Sequence, residues 1–144
     1  MNRKPQLSDA IRTEIDAVLD RSGEAYRAGQ LRRSLEIAEE AWGMIPAPPY
    51  DWDYYAQSLS ADFVRDFAEL GDVGEVEKWI PHLYAAYGDA EKTDHYTLMT
   101  EAEARLQLGQ REPAIALFKR IYNLFGPEGF RGEHRQYLAL AEAE

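Results

Sequence analysis

Apolar residues recur at helical intervals along most of the chain, and no strand-like alternation competes with them. A first stripe, Ile11, Ile15, Val18, Leu19, Ala25 and Tyr26, follows Ser8 and Asp9, which offer an N-cap and an acidic first turn, and ends at Gly29. A second stripe runs through Trp52, Tyr55, Leu59, Phe63, Phe67 and Leu70 to Gly71, with Asp51 placed to cap it. A third, opened by Thr93 or Asp94, carries Tyr96, Met99, Ala102 and Leu106 to Gly109. Each glycine stands where a left-handed C-terminal cap would stop a helix.

Beyond each glycine the pattern repeats without gaps. Five residues on come Ser34, Val76 and Ala114; nine on, Ala38, Ile80 and Phe118; twelve on, Ala41, Leu83 and Ile121. Pro46, Gly88 and Gly126 close the three copies. Steps of 5, 9 and 12 mark one helix face, so every copy predicts a helical hairpin, spanning about 8–46, 51–88 and 93–126. Pro113 suits the first turn of its helix, whereas Pro81 falls inside one, where a lost backbone hydrogen bond predicts a bend. After the breaker-rich Gly126 to Gly132, residues from about 133 to 143 predict a last helix that caps the exposed flank of the third hairpin. The expected fold is all-α: a solenoid of three hairpins plus a C-terminal capping helix, in a single domain over 1–144.

The repeat resembles the tetratricopeptide repeat, which has a small residue, a glycine at the inter-helix turn, further small and aromatic positions, and a proline. Ser22, Gly29, Leu31, Ser34, Ala41 and Pro46 occupy those positions in the first copy, and Ala102, Gly109, Ala114, Phe118 and Gly126 in the third. The second departs from the pattern at Val64, Val76 and Leu83. The glycines lie 42 and 38 residues apart, longer than the family's usual period of about 34, with the surplus in the loops. The resemblance is specific for architecture and almost silent on function, because one fold hosts many roles. The family's carboxylate clamp of Lys and Asn is missing, because the matching positions are Leu19 and Gly23, Ala61 and Arg65, and Met99 and Glu103. A second similarity, over Ala41 to Trp52, is to small bacterial helical-repeat proteins that act as immunity partners of toxins, and implies an intracellular toxin inhibitor.

Composition narrows the partner. Sixteen Lys and Arg against 26 Asp and Glu give a net charge of -10, which argues against nucleic acid and anionic membrane as ligands. The absence of Cys excludes disulfides and thiolate metal sites and suits a reducing cytoplasm. Met1 to Leu7 has two basic residues without an apolar run behind them, so no signal peptide is expected, and no stretch is long enough for a membrane span. His82, His95 and His134 stand apart in sequence with no metal-ligand spacing, although His95 and His134 could converge. No cofactor and no catalytic group is expected.

Two stretches are candidate surfaces. Tyr50, Trp52, Tyr54 and Tyr55 crowd the turn after the prolines, either as packing between the first two hairpins or, for Tyr50, Trp52 and Tyr54, as an exposed anchor patch. Asp62, Asp66, Glu69, Asp72, Glu75 and Glu77 surround Arg65 alone. They form either a solvated face with an Arg65 to Glu69 pair or an acidic groove for a basic protein. The candidate partner-binding set is therefore Tyr50, Trp52, Tyr54, Asp62, Arg65, Asp66, Glu69, Tyr96 and Glu103. The expected partner is a protein, with a basic toxin domain as its sharper form and a peptide-binding adaptor role as the alternative. Monomer and homodimer both stay open.

Overall fold

The computed structural model describes residues 4–143, so only Lys4 to Leu7 of the N-terminal segment falls within it. The described chain is all-helical, with seven α-helices: α1 (Asp9–Arg27), α2 (Leu31–Gly43), α3 (Tyr55–Glu69), α4 (Val73–Ala86), α5 (His95–Gln107), α6 (Arg111–Phe125) and α7 (Leu138–Glu142). Single 3-10 turns occupy Pro49–Asp51, Gly126–Gly129 and Gly132–Tyr137. Among the described residues no helix is long and apolar enough to cross a membrane.

Local chemistry sets the helix ends. The Ser8 side chain accepts from the Ile11 amide at 3.3 Å and starts α1. Gly29, Gly71 and Gly109 end α1, α3 and α5 at φ of 79°, 75° and 78°. In each case the amide after the glycine reaches back five residues, as Gln30 does to the Ala25 carbonyl at 2.9 Å. That closure satisfies carbonyls the helix would leave unpaired.

Helices adjacent in sequence pack most extensively: α1 with α2, α3 with α4, and α5 with α6. All nine residues at the repeated steps after the glycines are buried, from Ser34, Ala38 and Ala41 to Ala114, Phe118 and Ile121. Seven residues before each glycine and five after it stand small or β-branched residues. Ser22 and Ser34 meet there, each hydroxyl donating to the other's carbonyl at 2.7 and 2.8 Å. Val64 and Val76 are fully buried at the equivalent places, as are Ala102 and Ala114. α3 also runs along α5, α7 lies against α6, and Tyr137 just before α7 stacks on Phe118 of α6 with ring centres 4.6 Å apart.

Two expectations need correction. α3 starts at Tyr55, and Asp51 lies in a 3-10 turn instead of capping it. The cause is the Asp53 to Tyr55 turn: Tyr54 takes φ 84° and ψ -66°, and the Tyr55 amide bonds the Asp53 carbonyl at 3.2 Å, a γ-turn that resets the chain direction. α4 is helical on both sides of Pro81, whose side chain is exposed. The C-terminal segment is a 3-10 turn followed by a five-residue α-helix, not one helix from 133. Gly132 at φ 58° starts it, and Tyr137, bonded to Glu103 at 2.8 Å, holds the turn on α5.

Candidate functional site

α3 is flanked by two clefts. The first, of about 480 Å³, lies between α1 and α3 above α2. Leu19, Ser22, Gly23, Tyr26 and Arg27 form its α1 wall, Ser34, Leu35 and Ala38 its floor, and Ser58, Leu59, Asp62, Phe63 and Asp66 its α3 wall. It is open because α1 and α3 do not pack along each other, and their most specific link is the Tyr55 hydroxyl donating to Asp16 at 2.6 Å. Burial and then that bond push the Tyr55 hydroxyl up to about 12. The second cleft, of about 340 Å³, lies between α3 and α5 and is lined by Arg65, Ala68, Glu69, Glu103, Ala104 and Gln107.

Arg65 stands between the two. It donates to the Tyr96 hydroxyl at 2.8 Å and to Asp62 at 3.0 Å. The expected pair with Glu69 is not the one formed; the guanidinium turns back one helical turn because Tyr96 and Asp62 hold its two ends. Tyr96 is exposed and lies against Tyr87, with ring centres 5.1 Å apart. Asp66 is half-buried and forms no salt bridge among the described residues. Burial, followed by the charges of Asp62 and Glu69, pushes its carboxyl up to about 6 against the pull of Arg65. A carboxylate removed from water without a cation beside it is costly, which makes Asp66 the least satisfied charge of this face.

The structure thus brings together Asp62, Arg65, Asp66, Glu69, Tyr96 and Glu103 on the α3 and α5 faces. Glu103 is already engaged, accepting from Tyr137 and lying 3.7 Å from His134 Nε2. Ala61 and Met99, matched to inward family positions, are instead buried, so the open face of α3 runs through residues 62, 65, 66 and 69. The tyrosine-rich turn is separate and splits. Trp52 packs on the core and donates its indole N–H to the Pro46 carbonyl at 3.0 Å. Tyr55 is buried and Tyr54 is 58% exposed. Tyr50 is half-buried, its hydroxyl hydrogen-bonded to His82 Nδ1. Burial and then Lys78 hold the His82 imidazole below its ordinary value, which keeps it neutral and able to accept that bond.

Tyr26 was missed. Counted in the apolar stripe, it is 59% exposed on the rim of the first cleft. The signal was present, because Ala25 and Tyr26 are adjacent and a helix turns by roughly 100° per residue, so both do not face one core. His95 and His134 do meet, with ring centres 5.9 Å apart, but His95 Nε2 is occupied by the Gly129 carbonyl at 2.7 Å. Among the described residues no three His, Asp or Glu side chains gather as donors for a metal ion. No known protein family, curated protein or solved structure matches the chain.

Proposed function

We propose that the chain is a non-enzymatic protein-binding module, a solenoid of three tetratricopeptide-like hairpins that docks a partner protein along the faces of α1, α3 and α5 in the bacterial cytoplasm. The repeat register supports the solenoid: the same three positions are buried in each of three successive helix pairs, and α3 lies along α5 as in stacked repeats, while the first pair meets α3 through α2. One observation carries the binding role. Two clefts flank α3: the exposed ring of Tyr26 and half-buried Asp66 line the first, and Arg65 of the second is bonded to exposed Tyr96. Exposed tyrosines beside a concavity are the chemistry of interface anchors. The sharper form of the proposal is an immunity protein whose acidic face covers the basic cleft of a toxin.

Two experiments test it. A photo-crosslinking amino acid at Tyr26 or Tyr96 is expected to capture the partner in cells, while the same group at Arg33 and Glu36 on α2 is not; the reverse pattern refutes the docking face. Co-expression with the neighbouring gene's product tests the sharper form. Rescue from a toxic product and co-elution in size exclusion support it, whereas capture of several unrelated partners with no rescue favours the adaptor role.

A further inference from the structure

Gly23 lies one turn before the end of α1, where a glycine weakens the helix by roughly 1 kcal/mol relative to Ala. No packing requires it: a Cβ at this position would meet only the tip of the Arg27 side chain, at 3.3 Å. Its φ is not left-handed, so no turn requires it either. What it does is keep the α1 wall of the first cleft low. Ser22 and Ser34 below it are likewise small, and they spend their hydroxyls on each other. The cleft is therefore open by composition, and its floor and lower walls are apolar at Leu35, Leu19, Leu59 and Phe63.

Resting on the protein-binding reading, we infer that this cleft seats an arginine or lysine side chain from a segment of the partner, its stem over the apolar floor and its cationic head at Asp66. Long basic side chains combine those two ends. An acidic occupant would meet Asp62 and Asp66, and a purely apolar one would bury Asp66 further with nothing to offset its desolvation. Arg27 does not already fill the role. Its guanidinium lies against Gly23 on the α1 wall, and it makes no salt bridge among the described residues. Asp62 is held by Arg65, which leaves Asp66 as the acceptor.

The test is an NMR titration of the isotope-labelled full chain with three short capped peptides of equal length, bearing a central Arg, norleucine or Glu between Leu and Ala residues. Only the Arg peptide is expected to shift the amides of Gly23, Ser58 and Asp62, and added salt should weaken it. Asp66→Asn should weaken that binding by about tenfold or more. Gly23→Leu, which fills the cleft with a better helix former, should abolish it while the remaining spectrum stays wild-type. Arg-peptide binding that persists in both variants, or that maps only to other surfaces, overturns the inference. Norleucine or Glu peptide in the cleft overturns the cation while leaving the module intact. If no peptide binds but crosslinks through Tyr26 and Tyr96 still form, the cation assignment falls alone; if those crosslinks fail as well, so does the protein-binding reading.

Discussion

The Asp66 carboxyl is more readily protonated in the folded chain than in the unfolded one, because burial, Asp62 and Glu69 outweigh Arg65. The protein therefore holds a proton that the unfolded chain releases near the ordinary carboxylate value, so the penalty for ionising Asp66 builds from about pH 4 to about pH 6 and is complete above it. Arg27 across the cleft is the other charged group facing it. Asp66→Asn should raise the urea midpoint at pH 7.5 and change it far less at pH 3.5, where the carboxyl is mostly protonated in both states. An equal gain at both values would show that charge is not the cause. Buried Glu101 is the opposite case, since it accepts from the Tyr84 hydroxyl and from Arg105, each at 2.7 Å, and Arg105 also reaches Glu77. Arg105→Met should cost about 3 kcal/mol by leaving a buried carboxylate without its cation. Adding Glu101→Gln should recover part of that loss in denaturant titrations; a deeper loss would mean that hydrogen-bond geometry, not charge, dominates the site.

At the scale of elements, the turn glycines offer a controlled comparison. Gly29, Gly71 and Gly109 have similar positive φ, and a Cβ at any of them meets no atom within 4 Å. Substitution by Ala therefore costs backbone strain alone, about 1 to 2 kcal/mol at each site, and Asn should cost less. Unequal losses among the three in thermal melts would reveal a contact role for one of them. These helices were legible because spacing and stop signals are local properties of the chain. The start of α3 was not, because it depends on Tyr54 holding a positive φ while the Asp53 amide bonds the Pro5 carbonyl at 2.9 Å, a contact across 48 positions. Asp94 is the N-cap residue of α5, as the sequence suggested, but the role of Asp89 was not read. Buried in the α4 to α5 connection, Asp89 accepts from the Thr93 and Asp94 amides at 2.8 and 3.0 Å and from the Thr97 hydroxyl at 2.6 Å, and so holds the chain entering α5. Of the candidate site, the acids of α3 were readable from charge. The cleft beside them was not, because it arises from two helices failing to pack.

At the scale of the molecule, the described residues form two apolar clusters of unequal size. The first joins nineteen buried residues from Leu7 to Ala104 across α1 to α5, and the second only eight, from Leu98 to Ala141 across α5 to α7. Stacked helical repeats contact mainly their neighbours, so the smaller cluster is free to open first unless something ties it to the larger. The tie is α5, which contributes to both clusters and carries the Glu101 and Arg105 network to Tyr84 and Glu77 of α4. Amides of α6 should accordingly exchange with solvent through a lower-energy opening than those of α3 and α4, and Arg105→Met should widen that gap. Native-state hydrogen exchange with increasing denaturant reads both quantities. One common opening energy across α3, α4 and α6 would mean that the hairpins unfold as a single unit, and the two clusters would then have no energetic meaning. A separate opening would place the α1 and α3 cleft on the more stable part of the molecule, where a docking surface keeps its shape before a partner arrives.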